Sequence, residues 1–176
     1  MKFIHGNIQN INSECIVNST NKELLWEETT VNGDILNKGG IELINKLKSF
    51  KMPLNIGEPI ITNGYNLNCE NIIHVVPPHW KVKGLINLTD DLMIYTYQNV
   101  LKLAKLNFIK EICFPLLGTG AFMFPLNRAI IIGLYECMKF QQNYNIEISF
   151  CINDGNKIQA CRTLYNIIKC DFDNIN

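Results

Sequence analysis

The turn Gly118-Thr119-Gly120 is the part of this sequence best suited to bind a ligand. It follows an apolar run that predicts a strand over residues 112–117, and a helix is predicted behind Pro125, since proline suits the first helical turn. A strand that turns sharply through glycines directs several backbone N–H groups toward one point, which favours phosphate binding. The alternative is a tight turn without a ligand, and these residues alone leave the two interpretations evenly balanced.

A second polar group, Asn18-Ser19-Thr20-Asn21, ends the apolar run that begins at Cys15. Ligands of open α/β sheets bind at the carboxyl ends of the strands, so this group is a candidate site element. We expect Asn18 to hold neighbouring loops by side-chain hydrogen bonds rather than to contact a ligand. His74 lies in an apolar run and is expected to be a hydrogen-bonded core histidine rather than a catalyst.

Composition limits the class of protein. A chain of 176 residues suffices for one well-buried domain, and a net charge of zero without a basic cluster argues against a nucleic-acid surface. The histidines do not pair with the seven cysteines at metal-ligand spacing, so neither a zinc site nor a cofactor is expected. Cys15, Cys113 and Cys151 lie in apolar runs and should behave as small hydrophobic residues. With no signal peptide and no membrane-spanning run apparent, we expect a protein of the reducing cytoplasm without a membrane partner.

Strands and helices are predicted to alternate along the chain. Strands are predicted over residues 2–5, 15–18, 58–65, 72–76, 112–117 and 147–152. Helices are predicted over 33–48, weakened by Gly39-Gly40, over 88–106 with Asn87 or Thr89 as cap, from Pro125 to about residue 140, and over 157–168. No linker divides these elements, so we expect one α/β domain of three layers, α/β/α, over residues 1–170, followed by a polar tail at 171–176.

Five short stretches, in this order and spacing, resemble the macrodomain family, which binds ADP-ribose. They are Gly6-Asn7-Ile8, the run from Ile16 to Asn21, Gly64-Tyr65, the run from Ile72 to Val76, and the run from Phe114 to Pro125. The resemblance covers nearly the whole chain. It implies a central mixed, mostly parallel sheet and, as partner, ADP-ribose or an ADP-ribosylated protein.

The resemblance also implies roles for thirteen residues. The turn at Asn7 and Ile8 would hold the adenine, with Asn153 where the family often has an aromatic side chain, and Asn21 would reach the distal ribose. The diphosphate would be held by the backbone N–H groups of Gly118, Thr119, Gly120, Ala121 and Phe122. The residues that would flank the ligand are Val31, Asn32, Gly33 and Leu117.

Some positions depart from the family pattern. The first turn usually carries an aspartate that accepts from the adenine amino group, and here it carries Asn7. The hydrolytic branch has Val-Asp-Gly-x-Ile-His where this chain has Asn32 in place of the aspartate and Leu36 in place of the histidine. Asn32 cannot act as a base, and Leu36 can neither donate nor accept a hydrogen bond.

Three nearby carboxylates could substitute for the missing groups. Glu27 and Glu28 are interpreted as parts of a solvated loop, and Asp34 as a charge that favours a helix N-terminus. The favoured function is therefore a binding module for ADP-ribose, free or attached to protein. The second is a hydrolase of ADP-ribosyl or O-acetyl-ADP-ribose bonds with a rearranged first loop.

A third possibility, a dinucleotide-dependent oxidoreductase, is disfavoured. Met123 stands where a third glycine would be needed, and the glycine pair lies late in the chain rather than after the first strand. A Walker-type NTPase is excluded because no Gly-Lys-Ser/Thr follows the glycines.

Overall fold

A computed structural model describes residues 1–80 and 88–175, with the backbone alone for residues 173–175. In these ranges the strands are β1 Lys2–His5, β2 Ser13–Ser19, β3 Ile60–Asn63, β4 Cys69–Val75, β5 Glu111–Phe114 and β6 Glu147–Ile152. The helices are α1 Val31–Leu47, α2 Thr89–Leu106, α3 Leu126–Asn143 and α4 Gly155–Ile175, and a short 3₁₀ helix spans Ile8–Asn10.

The strands form one sheet in the order β1-β6-β5-β2-β4-β3. Only the edge strand β3 runs antiparallel to its neighbour among these six, so the predicted mixed, mostly parallel sheet is confirmed. Parallel strands end at the same edge of a sheet. The carboxyl ends of β1, β6, β5 and β2 therefore lie side by side.

Both faces of the sheet are covered by helices, which makes three layers. Side chains of β2 alternate between the faces: Cys15 and Val17 pack into a core with α2, α3 and α4, whereas Ile16 packs into a second core with α1. Burial on both faces explains why the central strands are apolar throughout rather than alternating. The predicted α/β/α layering is confirmed.

Several predicted boundaries were wrong for identifiable reasons. The strand predicted over 58–65 begins only at Ile60, after Pro59, and ends before Gly64, whose N–H donates to Glu70 O across a tight turn. The strand predicted over 112–117 ends at Phe114 because Pro115 has no N–H for a strand ladder.

The helices also differ at their ends. Helix α1 begins at Val31 because Thr30 Oγ1 accepts from the Gly33 N–H, and it is kinked at Gly40, where φ is 82°. Helix α2 has Leu88 in the capping position and Thr89 as its first residue, while Asn87 lies outside the described residues.

The last helix is longer than predicted. Helix α4 runs to Ile175, so residues 171–175 are helical rather than a tail, and Asn176 lies outside the described residues. Phe172 contacts Tyr135 of α3 edge-on, with ring centroids 5.3 Å apart, which gives the extension a packing partner. In the described parts of the chain, no helix combines the length and apolarity needed to cross a membrane.

Candidate functional site

A cavity of about 300 Å³ opens at the carboxyl edge of the sheet. Its walls come from the turn after β1, the end of β2, the segment before α1, the loop between β5 and α3, and the start of α4. Nine of the thirteen predicted residues line it: Asn7, Ile8, Val31, Gly118, Thr119, Gly120, Ala121, Phe122 and Asn153.

The loop from Gly118 to Phe124 has the form of an anion cradle. It is closed by two backbone bonds of 2.9 Å, from Phe124 N to Gly118 O and from Met123 N to Gly120 O. Within residues 1–80 and 88–175, no protein acceptor is found for the N–H groups of Gly120, Ala121 and Phe122. These donors border the cavity and are free for an anion.

The two glycines of this loop have different roles. Gly118 has a φ of 76°, and a Cβ there would lie 2.8 Å from Met93 Cε and 3.2 Å from Phe124 Cβ, so any other residue would strain the loop. A Cβ at Gly120 would meet no atom within 4 Å. Gly120 therefore borders open cavity space, where a side chain would occupy the volume available to a ligand.

The opposite wall is formed near the ends of β1 and β6. The Asn7 side chain is exposed, borders the cavity and makes no capping bond to the 3₁₀ helix that follows it. Asp154 Oδ1 accepts from the backbone N–H groups of Asn156 and Lys157 at 2.8 and 3.1 Å. The Lys157 N–H is the main cause that lowers the pKa of Asp154. This cap fixes the start of α4, which brings Lys157 to the cavity.

Four predicted residues do not line the cavity. Asn21 instead bonds the Leu25 peptide twice, donating to its carbonyl at 3.0 Å and accepting from its N–H at 2.9 Å. Leu117 is fully buried in the core. The Gly33 N–H caps on Thr30, and a Cβ there would lie 2.0 Å from Glu27 O, so glycine permits a close backbone approach.

The fourth of these residues, Asn32, belongs to a buried chain of polar side chains. Its Oδ1 accepts from Asn18 Nδ2 at 2.9 Å, and its Nδ2 donates to Leu25 O at 2.7 Å. The same Asn18 nitrogen donates to His74 Nδ1 at 3.1 Å, so the His74 proton resides on Nε2, which donates to Thr62 Oγ1 at 2.9 Å.

Burial keeps His74 neutral. It is fully enclosed, and desolvation lowers its pKa from 6.5 to about 3. The predictions that His74 is a hydrogen-bonded core residue and that Asn18 ties loops together are both confirmed.

Two of the three nearby carboxylates border the cavity. Glu27 and Asp34 are among its lining residues, whereas Glu28 is not. Asp34 lies in the first turn of α1, as predicted, but its position faces the cavity as well as favouring the helix N-terminus. Leu36 lies at the position of the family's histidine. It is buried in the core between α1 and the sheet.

Other lining residues were missed from the sequence, and most flank strand ends. Ser19 and Ile152 are the last residues of β2 and β6, where the carboxyl-end rule could have found them. Cys151 donates from Sγ to Gly6 O at 3.3 Å, a contact between distant segments that no local signal reveals. The further missed residues are Gly6, Gln9, Thr29, Thr30, Pro115, Leu116 and Lys157.

Metal binding receives no support from the described ranges. There, no three side chains of His, Cys, Asp or Glu are grouped so that they could hold an ion.

Comparison with known proteins gives a consistent family signal. The family model described as Macro domain matches residues 17–132. A macro domain-containing protein of Methanosarcina mazei is 32% identical over 164 residues, which cover 93% of this chain and 85% of the relative. O-acetyl-ADP-ribose deacetylase 1 of Pantoea vagans is 33% identical over 134 residues, covering 74% of this chain and 77% of the relative.

Solved structures agree with the sequence relatives. The Oceanobacillus iheyensis macrodomain with ADP superposes with a TM-score of 0.88 at 27% identity, covering 95% of this chain and 90% of that one. A mutant form of the same macrodomain with ADPR superposes with a TM-score of 0.84 at 28% identity, covering 95% and 92%.

Proposed function

This chain belongs to the macro domain family, and we propose that its cavity binds ADP-ribose, either free or attached to a protein. The observation that carries the proposal is the loop from Gly118 to Phe124. Its residues 118–122 line the cavity, the N–H groups of Gly120, Ala121 and Phe122 have no acceptor in the described part of the chain, and Gly120 leaves the adjoining space open. A diphosphate is the anion that such a row of donors fits best.

The order of the strands supports an orientation for the rest of the ligand. The phosphate loop follows β5, the turn with Asn7 follows β1 at one end of the row, and the segment before α1 follows β2 at the other end. A ligand with its diphosphate at β5 thus has its base beside Asn7 and its distal ribose beside Glu27, Thr30 and Asp34. The exposed Asn7 amide can accept from the adenine amino group.

The relatives support this choice of ligand. The Oceanobacillus iheyensis macrodomain is described with ADP and, in a mutant form, with ADPR. The name of the Pantoea vagans relative refers to O-acetyl-ADP-ribose. Attachment of the ligand to a protein is part of our proposal.

A second function, hydrolysis of an ADP-ribosyl or O-acetyl-ADP-ribose bond, is favoured by one observation. Glu27 and Asp34 border the cavity where a water molecule could be activated beside the distal ribose. Against it, Asn32 is committed to buried hydrogen bonds and Leu36 to the core, so neither position contributes an acid or a base. We therefore favour binding with absent or very slow turnover.

Calorimetry against ADP-ribose, AMP, NAD and a guanine analogue of ADP-ribose tests the proposal. We expect ADP-ribose to bind more tightly than AMP, because AMP lacks the second phosphate and the distal ribose. Equal affinity for ADP-ribose and AMP, or no binding of ADP-ribose, would overturn it.

A further inference from the structure

Two large apolar side chains are exposed in the segment that leads to Glu27, a residue of the cavity wall. Leu25 is 61% exposed and Trp26 is 49% exposed, and both lie in the segment between β2 and α1. We call these two residues the Leu25–Trp26 surface. Neighbouring exposed apolar side chains can contribute to a contact with another molecule.

The backbone under this surface is held by the side chains of Asn21 and Asn32. The Leu25 carbonyl accepts from Asn21 Nδ2 at 3.0 Å and from Asn32 Nδ2 at 2.7 Å, and the Leu25 N–H donates to Asn21 Oδ1 at 2.9 Å. Asn32 is fixed in turn by Asn18, which bonds the buried His74. The exposed pair therefore sits on a pre-organised support, which reduces the entropy lost when a partner binds.

The surface lies at the end of the cavity where an attached protein would emerge. The residues directly after Trp26 include Glu27, Thr29 and Thr30, which line the cavity on the side of β2. With the base at β1 and the diphosphate at β5, this side holds the distal ribose, which is the part of ADP-ribose that is joined to a modified protein.

The segment that carries this surface is predominantly negative. Residues 21–34 contain four carboxylates, Glu23, Glu27, Glu28 and Asp34, and one lysine, a net charge of −3 in a chain whose net charge is zero. Such a segment attracts cations and repels acidic chains at ordinary ionic strength.

We propose that the Leu25–Trp26 surface docks the polypeptide that carries the ADP-ribosyl group. It selects a segment with an apolar side chain and a lysine or arginine close to the modified residue. This inference rests on the proposed function, since it places the partner by the orientation of bound ADP-ribose. Trp26 is the main contact, because tryptophan is among the residues that most often dominate the binding energy at an interface.

The test compares three probes by calorimetry. They are free ADP-ribose, a synthetic peptide with one ADP-ribosyl group on a serine flanked by lysine and leucine, and the same peptide flanked by glutamate and glycine. We expect the basic peptide to bind about tenfold more tightly than the acidic one at low salt, and this preference to shrink as salt is raised.

Variants then locate the effect. Leu25→Ser combined with Trp26→Ser should weaken the basic peptide about tenfold and leave free ADP-ribose unchanged. The matched control is Leu106→Ser, which removes a side chain that is 64% exposed at the far end of α2 and should change neither affinity.

The outcomes separate this inference from the proposed function. If free ADP-ribose binds but the wild-type protein takes both peptides equally, the docking surface is refuted and the ligand assignment stands. An equal loss for all three probes in the double variant would also refute docking. If free ADP-ribose does not bind at all, the proposed function fails and the inference fails with it. The wild-type peptide preference and its salt dependence decide the matter even if a variant does not fold.

Discussion

The two loops that face each other across the cavity are built on different principles. The loop from Gly118 to Phe124 presents backbone N–H groups, and it is closed by backbone hydrogen bonds from Phe124 to Gly118 and from Met123 to Gly120. The segment from Ser19 to Asp34 is shaped by side chains: Asn21 and Asn32 both bond the Leu25 peptide, and Thr30 caps α1.

This difference shows which part of a site can change while the fold persists. A cradle of backbone donors needs only glycines and a turn, so its function follows from a few residues. In a loop shaped by side chains, asparagines near the site can hydrogen-bond the backbone instead of the ligand. Here they hold the loop rather than reach the cavity.

The largest expected effect concerns turnover, which would be absent if the segment before α1 serves only for support. Loss of positioned acid–base help should make hydrolysis roughly 10²–10⁴-fold slower than in a hydrolytic relative. The measurement is release of ADP-ribose from a mono-ADP-ribosylated protein and hydrolysis of O-acetyl-ADP-ribose, beside the deacetylase of Pantoea vagans. Comparable rates would contradict the proposal of binding without turnover. Glu27→Gln and Asp34→Asn would then identify the responsible carboxylate.

The second largest effect tests whether the loop from Gly118 to Phe124 binds the diphosphate. Gly120→Glu places bulk and a negative charge in the open space at the cradle and should weaken ADP-ribose binding by about 100-fold. The control is Gly120→Ala, whose Cβ meets no atom within 4 Å and should bind nearly as well as the wild type. A thermal melt shows that each variant folds. Unchanged affinity in folded Gly120→Glu would remove the diphosphate from this loop.

The buried hydrogen bonds that support the segment from Ser19 to Asp34 should be sensitive to pH. Because His74 has a pKa of about 3 in the folded chain and an ordinary value of 6.5, the unfolded chain takes up a proton between these values that the folded chain does not. The stabilisation from neutral His74 is thus complete above pH 6.5 and is lost as pH falls toward 3, by up to about 1.4 kcal/mol per pH unit.

Urea unfolding at pH 7.5, 5.5 and 4.5 measures this loss. In His74→Gln the decline over this range should be shallower than in the wild type, whatever the stability of the variant at pH 7.5. Parallel declines in the two proteins would show that His74 does not support the loop in its neutral form.

The smallest effect concerns the base. An amide at Asn7 can face an amino or a keto group, whereas a carboxylate only accepts, so Asn7→Asp should favour adenine by about 1 kcal/mol. The measurement is the affinity ratio of ADP-ribose to its inosine analogue. Asn10→Asp is the matched control, since Asn10 bonds Lys38 at the surface and does not line the cavity. If Asn7→Asp leaves the ratio unchanged or lowers it, Asn7 does not read the base.

Much of the fold was predictable because its signals are local. Strand β6 was predicted over its observed residues, and His74 was assigned to the interior from its apolar surroundings. The phosphate loop could be predicted for the same reason, because glycines directly after a buried strand indicate a tight turn. The end of α4 was missed because its support comes from Tyr135, in another helix.

The residues that could form an anion cradle, and the family that the chain resembles, were evident from the amino-acid sequence. The role of the asparagines became clear only in the folded structure. Asn21 and Asn32 stand where the family pattern suggests ligand contacts, yet both side chains bond the Leu25 peptide. The physical reason is that a backbone donor is directed by the local turn, whereas an amide side chain bonds whichever partner the packing of distant segments brings within reach.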